Sequence, residues 1–199
     1  MKKTLIAVLT LIMLSSCSNA SDIQSSVPLT QEENDDLRFL REEEKLARDV
    51  YLFSYDKYQI SVFNSISNSE QKHMDSVLSL LNKYGIPDSA SPLIGVFVNQ
   101  DLQLLYNSLI AQSNISSIEA LKVGATIEDL DINDIDHFIV NTTKSDLLSV
   151  YDNLTCGSKN HIRSFTSQLT LYEVTYIPQF ISIEYYNIIL SSPSGGCVN

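Results

Sequence analysis

The sequence predicts an all-α protein built on four long helices. Along four stretches, apolar residues recur at intervals of three or four, which is the spacing that buries one face of a helix. Hydrophobic residues make up 44% of the 199 residues, enough for a substantial core, and no alternating pattern of useful length predicts a strand. We expect one helical domain at residues 30–190, followed by a tail at residues 191–199.

The N-terminal residues have the pattern of an export signal. Two lysines follow Met1, and the apolar run at residues 5–14 is too short to span a bilayer. The run ends in Leu14-Ser15-Ser16-Cys17, which resembles the bacterial lipobox, where the cysteine is acylated and becomes the new N-terminus. We predict a signal peptide at residues 1–16, a lipid anchor on Cys17 and a polar tether at residues 17–29. Ordinary cleavage near Ala20 is the alternative.

This N-terminus predicts an exported lipoprotein that is anchored in a membrane and faces the periplasm or the cell surface. The formal net charge of −11 would repel a nucleic-acid backbone, so we expect no nucleic-acid partner. The sequence leaves a homodimer open, whereas a lipidated N-terminus argues against a closed shell of many subunits.

The first two helices are marked by their ends as well as by their apolar faces. Thr30 and Glu33 have the spacing of a capping box, and the pattern that follows predicts a helix to about residue 58. A second pattern runs from Phe63 to Tyr84. The sequence Gly85-Ile86-Pro87 is typical of a helix end.

A connection separates the second helix from the third. Residues 86–99 are expected to form a loop, and residues 102–110 a short amphipathic helix. Ser116 and Glu119 again have capping-box spacing, and they precede a third long pattern from Ile118 to Ile139.

The fourth long pattern runs from Leu147 to Leu169, and Thr143 with Asp146 predicts its N-terminal cap. The apolar and aromatic segment from Pro178 to Leu190 predicts a short helix at the end of the domain. Both lie within the expected domain.

Each long helix carries a titratable residue in the middle of its apolar face. On the second helix, Glu70 and His73 lie one turn apart on one side. Glu128 and His161 interrupt the apolar faces of the third and fourth helices. Because a buried carboxylate is costly unless it is paired or bound to a cation, the four helices together predict a metal site.

On the first helix, three consecutive glutamates at residues 42–44 leave the ligand open. Glu43 lies nearer the centre of the apolar face, while Glu44 shares a side with Leu37 and Tyr51. The alternative to a metal site is a set of buried ion pairs, for example with Arg48 or Arg163.

Four segments around these residues resemble the ferritin-like domain of unknown function 2202. They are Arg41–Tyr51, Ser69–Met74, Val123–Ile132 and Gly157–Arg163, and the resemblance spans residues 35–190. The first segment also resembles the first ligand helix of ferritins and rubrerythrins, in which a metal-binding Glu is followed by Ala three residues on and by Tyr seven residues on. That likeness selects Glu44.

The resemblance implies an antiparallel four-helix bundle with a long crossover between the second and third helices. By analogy, Glu44, Glu70 and His73 hold one metal ion, Glu70 bridges, and Glu128 with His161 holds the second ion. The symmetrical pattern has a second bridging carboxylate three residues before His161, where this chain has Ser158. The candidates for that place are Asp131, Glu173, Glu184 and water.

The resemblance also implies a cofactor and a chemistry. We expect one or two iron ions, with manganese and zinc left open, and either ferroxidase-like or peroxide-reducing turnover. No pair of Cys-x-x-Cys motifs exists to form an electron-entry domain, so the electron donor is external. The alternative is a non-catalytic surface lipoprotein that acts as a binding module, with a structural metal or none.

The remaining candidate residues lie outside this ligand set. An oxidising compartment permits a disulfide between Cys156 and Cys197, and the alternative is one buried and one exposed thiol. We expect Tyr51 and Tyr151 to pack in the core, with hydrogen bonding to a ligand or electron transfer as the alternatives. The acidic cluster of Asp129, Asp131, Asp134 and Asp136 is expected to be mostly solvated and able to gather cations loosely, and His137 is expected to be solvated.

Overall fold

Six α-helices make up the regular structure of the computed structural model, which describes residues 28–197. No strand occurs in that range, so the all-α prediction is confirmed. The predicted signal peptide, Cys17 and residues 18–27 of the predicted tether lie outside the described residues. The helices are α1 Gln31–Tyr58, α2 Ser61–Lys83, α3 Gln100–Ser113, α4 Ser117–Val140, α5 Ser145–Thr170 and α6 Ile183–Ser191.

Two helical hairpins form the body of the protein. α1 packs along α2 and α4 along α5, and the hairpins meet through contacts of α1 with α4 and of α2 with α5. The short connection between α1 and α2 turns at Gln59, which adopts a left-handed conformation with φ of 55°. α3 lies against α1 and α4, and α6 against α5. None of the described helices has both the length and the apolar character needed to cross a membrane.

A polar layer divides the apolar interior. One hydrophobic cluster includes Val50, Phe63 and Phe165, and the other includes Leu37 and Leu147. The titratable residues singled out on α1, α2 and α5 lie between the two clusters, because the buried apolar positions of these helices change from one cluster to the other around them, and Glu128 of α4 contacts them through His161. The layer is therefore closed off by apolar side chains at both ends.

The helix caps follow the sequence prediction at two of three places. The Thr30–Glu33 capping box is present, and Ser116 accepts the Glu119 N–H at the start of α4. The cap predicted at Thr143 is wrong, since α5 begins after Lys144 and has no side-chain cap. Its neighbour Thr142 accepts the Lys144 N–H at 3.1 Å and donates to Glu33 Oε1 at 2.6 Å, so this hydroxyl also joins the start of α5 to α1.

The C-terminal helix starts later than predicted. Asp129, expected to be solvated, is fully buried, and its carboxylate accepts the hydroxyl of Tyr176 at 2.8 Å and the N–H of Ile181 at 2.9 Å. The same carboxylate accepts the N–H groups of Gln179 and Phe180. These backbone groups are committed to Asp129, so residues 178–182 stay extended or bent and α6 begins at Ile183.

The connection between α2 and α3 is fixed to α1 by charged side chains. Glu42 accepts the N–H groups of Val98 and Asn99, each at 2.8 Å. The buried pair Lys45–Asp49 binds the same connection, because Asp49 accepts the Gly95 N–H at 2.9 Å. The helix that follows, α3, extends by two or three residues at each end beyond the predicted range of 102–110.

Candidate metal centre

The three consecutive glutamates of α1 have three different environments, because successive helical residues point about 100° apart. Glu42 binds the α2–α3 connection. Glu43 faces α4, where burial and the charges of Asp131 and Asp134 raise the pKa of its carboxyl group. Glu44 reaches His73 on α2. Of the three, only Glu44 thus contacts a histidine among the described residues.

A continuous chain of contacts joins the five predicted ligands. The His73 Nδ1 atom lies 3.2 Å from Glu44 Oε2 and 2.7 Å from Glu70 Oε2. The His161 Nδ1 atom lies 2.9 Å from Glu70 Oε1 and 3.3 Å from Glu128 Oε2. Two groups result, Glu44–Glu70–His73 and Glu70–Glu128–His161, and within each the ligand atoms lie within 4.8 Å of one another.

Glu70 occupies the central position, since each of its two oxygens faces a different histidine. Although burial opposes it, the charges of His161 and His73 hold the pKa of Glu70 far below its usual range. Burial raises the pKa of Glu44 to about 7, against the influence of His73, and burial also raises that of Glu128. The carboxylates raise the pKa of His73, and they raise that of His161 to about 10, in both cases against burial.

The composition of this layer fits a bound cation. Five carboxyl groups, those of residues 43, 44, 70, 128 and 131, are buried with two imidazoles. If all five were ionised, their negative charge would exceed the two positive charges that two imidazoles can carry, and burial together with this mutual repulsion raises the pKa values of Glu43 and Asp131. The Glu44 Oε1 and Asp131 Oδ1 atoms are buried and have no hydrogen-bond partner within residues 28–197. Metal ions would supply the missing charge and replace the protons on the histidines, which suits a set of oxygen and nitrogen donors.

A glycine on α5 leaves room for the two histidine rings. They stack with a centroid distance of 5.5 Å. A Cβ atom at Gly157 of α5 would lie 2.6 Å from the Cε1 and Nε2 atoms of His73, a distance that real contacts do not reach. Gly157 therefore lets α5 approach the His73 ring, whose Nδ1 edge is turned toward the carboxylates.

Tyr51 and Ser158 support the ligands from the sides. The Tyr51 hydroxyl donates to Glu128 Oε1 at 2.5 Å, which fixes that carboxylate. Ser158, at the place of the absent second bridging carboxylate, donates a short hydrogen bond to Asp131 Oδ2. The position of Asp131 could not be read from periodicity, which put it in a solvated acidic cluster.

The other candidate ligands belong to neither of the two ligand groups. Glu43 and Asp131 are buried beside the groups but belong to neither. Glu173, Glu184 and His137 are exposed, and the expectation for His137 is confirmed. Tyr151 is buried in the core, and its hydroxyl has no hydrogen-bond partner among the described residues.

The two C-terminal cysteines meet at the edge of α5. The structure joins Cys156 and Cys197 by a disulfide with a Cα–Cα distance of 5.7 Å. Asn160 holds the same tail by donating to the Gly195 carbonyl at 3.0 Å.

The fold and the site define an all-α protein whose buried carboxylate–histidine cluster can hold metal ions. The chain belongs to the family of the uncharacterized protein domain DUF2202, whose model matches residues 33–193. It is 49% identical over 166 residues to the uncharacterized protein MJ0754 of Methanocaldococcus jannaschii. These aligned residues cover 83% of this chain and 90% of that protein.

A solved structure shares the fold. It is the crystal structure of the hypothetical protein MJ0754 from Methanococcus jannaschii, which matches with a TM-score of 0.84 at 48% identity. The match covers 85% of this chain and 98% of that chain. The predicted family membership is confirmed.

Proposed function

We propose that the protein is a ferritin-like di-metal oxidoreductase, with iron as its metal and hydrogen peroxide or dioxygen as the oxidant. The proposal is carried by one observation, the two overlapping ligand groups that share Glu70. The pairing of α1 with α2 and of α4 with α5 around this layer supports an antiparallel four-helix bundle with α3 in its crossover.

Within that proposal, each residue has a definite task. Glu44 with His73 and Glu128 with His161 would each hold one ion, and Glu70 would bridge, because its two oxygens face the two histidines at 2.7 and 2.9 Å. Tyr51 keeps Glu128 in place through its hydrogen bond. The apolar clusters on either side of the layer limit the access of water.

The chemistry would come from the bound metal. Two ferrous ions would supply the two electrons that, with two protons, reduce one hydrogen peroxide molecule to two water molecules, and an external one-electron donor would restore both ions. Manganese and zinc are compatible with the same donor atoms, although zinc would bind without redox chemistry.

We further propose that the protein works outside the cytoplasm, attached to a membrane through a lipid on Cys17. The signal-like residues 1–16 support this location. The Cys156–Cys197 disulfide also supports it, since disulfides persist mainly in oxidising compartments.

The test is the metal content per chain of the purified protein. We expect about two iron or manganese ions in the wild type, and loss of metal in Glu70→Ala and His161→Ala, which remove the shared and the second-site ligands. Glu184→Gln is the matched control, because Glu184 is exposed on α6. Asp131→Asn is expected to keep both ions, since Asp131 belongs to neither group.

One zinc ion per chain, or no metal in any variant, would contradict the oxidoreductase. Either result would favour the alternative of a non-catalytic surface lipoprotein. One observation favours that alternative. Where the resemblance implies a second bridging carboxylate, the chain has Ser158, which donates to Asp131.

A further inference from the structure

A pocket of about 270 Å³ lies between α2 and α5, beside the metal centre. Its volume is many times that of one water molecule, roughly 30 Å³. We call it the α2–α5 pocket. Besides His73, His161 and Gly157, it is lined by Ser69, Lys72 and Ser76 of α2, by Asn153 and Asn160 of α5, and by Cys197 of the tail.

The pocket reaches the centre through the two histidine rings. Both rings line it, and both also contact Glu70 through their Nδ1 atoms. The pocket therefore ends at two of the proposed ligand side chains of the centre. Gly157 also lines the pocket. A side chain at this position would collide with the His73 ring, so the glycine leaves space beside that ring.

The lining has a chemistry opposite to that of the centre. Hydroxyl and amide groups predominate, no carboxylate belongs to the described residues that line the pocket, and Lys72 is exposed at its edge. In a chain of net charge −11, the described part of this lining is therefore a surface with no negatively charged side chain and with one lysine at its edge. It suits a small uncharged or anionic molecule that accepts and donates hydrogen bonds.

The C-terminal tail forms one side of the pocket. Cys197 belongs to the lining, and the tail is held on α5 by the disulfide to Cys156 and by the Asn160 amide, which donates to the Gly195 carbonyl. The dimensions of the opening are thus set by two helices and a covalently attached segment.

We propose that the α2–α5 pocket is the entrance through which a small uncharged or anionic oxidant of the peroxide class reaches the metal centre. The proposal rests on the proposed function, because an entrance for an oxidant requires a redox-active metal pair behind it. It goes further by assigning the route and the charge class of the molecule that uses it.

The test measures access with azide, a small anion that binds ferric iron and changes its absorption spectrum. Ser76→Phe would place a ring in the pocket. Ser79→Phe is the matched control, since Ser79 is exposed one turn along α2 and both hydroxyls donate to the carbonyl four residues earlier. In stopped-flow mixing with the ferric protein, we expect azide binding to slow by about tenfold or more in Ser76→Phe and to stay near the wild-type rate in Ser79→Phe.

A second pair of variants tests the charge of the entrance. Lys72→Glu and Lys122→Glu change the net charge equally, but Lys122 lies on α4 beside Glu119, away from the pocket. We expect Lys72→Glu to slow azide binding several-fold at low ionic strength, with the difference shrinking at high salt, and Lys122→Glu to have little effect.

The outcomes separate the two proposals. A wild-type protein without a metal pair would overturn the proposed function and the entrance together. Two metal ions per chain with equal azide rates in the Ser76→Phe and Ser79→Phe proteins would overturn the entrance alone. If Ser76→Phe does not hold iron, equal rates for Lys72→Glu and Lys122→Glu would overturn the entrance.

Discussion

Glu70 has a different histidine beside each of its two carboxylate oxygens. The candidate centre therefore consists of two similar ligand groups, one on each side of this residue. One ligand group lies toward α1 and the other toward α4, with the shared glutamate between them. The placement of Glu70 and His73 on the same side of α2 could be predicted from the sequence, because residues three apart share a helix face. The choice among the three glutamates of α1 was not, since each of them is buried in a different environment that periodicity does not distinguish.

Tyr51 gives a prediction at the scale of a single hydroxyl. In Tyr51→Phe, Glu128 Oε1 loses its donor at 2.5 Å, so we expect the free energy of unfolding to fall by about 1–3 kcal/mol. We also expect metal affinity to fall by roughly ten- to a hundredfold, as is typical when a group that orients a ligand is removed. Urea unfolding and a metal titration measure the two effects.

Tyr151→Phe is the control for this prediction. Tyr151 is also buried, but in the part of the chain that the structure describes its hydroxyl has no hydrogen-bond partner. Its removal is expected to leave stability and metal affinity close to wild type. Equal losses in the two variants would show that the Tyr51–Glu128 hydrogen bond has no special role.

At the scale of helices, Asp129 joins α4 to the segment before α6. The carboxylate accepts four hydrogen bonds, one from Tyr176 and three from backbone N–H groups. In Asp129→Asn, the amide turns an NH₂ group toward some of these donors, so we expect the free energy of unfolding to fall by about 3 kcal/mol. We also expect faster proteolysis within residues 178–191, measured by limited digestion and mass spectrometry.

Asp136→Asn is the comparison on the same helix, because Asp136 is only half-buried. A similar loss of stability in both variants would mean that negative charge on α4, and not the hydrogen bonds of Asp129, is what matters.

The sequence predicted helices where local signals decide and failed where distant groups decide. The Thr30–Glu33 box and the apolar periodicity are contained within one or two turns, and α1 to α5 appear close to the expected positions. Asp129 was assigned to a solvated face because its partners lie 47–52 residues away in the chain. The cap predicted at Thr143 is absent, and its neighbour Thr142 donates instead to a distant residue, Glu33 of α1.

At the scale of the whole molecule, metal binding is expected to be coupled to stability. The ligands come from all four long helices, so an unfolded chain has no site. With free metal at about a thousand times its Kd, the stabilisation is about 4 kcal/mol. For a domain of this size, that corresponds to a rise in Tm of roughly 10 °C. Thermal unfolding with iron or manganese, and again after addition of a chelator, measures it; an equal rise in Glu70→Ala would contradict the site.

The disulfide gives a second prediction for the whole chain. It closes a loop with a sequence separation of 41, for which loop-closure entropy predicts a stabilisation of up to about 4 kcal/mol. We expect a reductant to lower the Tm of the wild type and to leave that of a Cys156→Ser, Cys197→Ser protein unchanged. A wild type with the same Tm in both conditions would show that the bond does not stabilise the fold.

Because the proposed ligands are divided between two hairpins, the complete site can form, and bind a metal ion, only at the stage of folding when the hairpins dock. Each hairpin joins neighbouring parts of the chain and needs no long-range contact to form, whereas Glu70 meets His161 only after α2 has docked on α5. A chain that crosses a membrane unfolded cannot bring an ion with it. Under the proposed export, an ion bound at the centre would therefore come from the solution in which the hairpins dock, and the metal supply of that compartment, more than the donor atoms themselves, would decide which metal the centre receives.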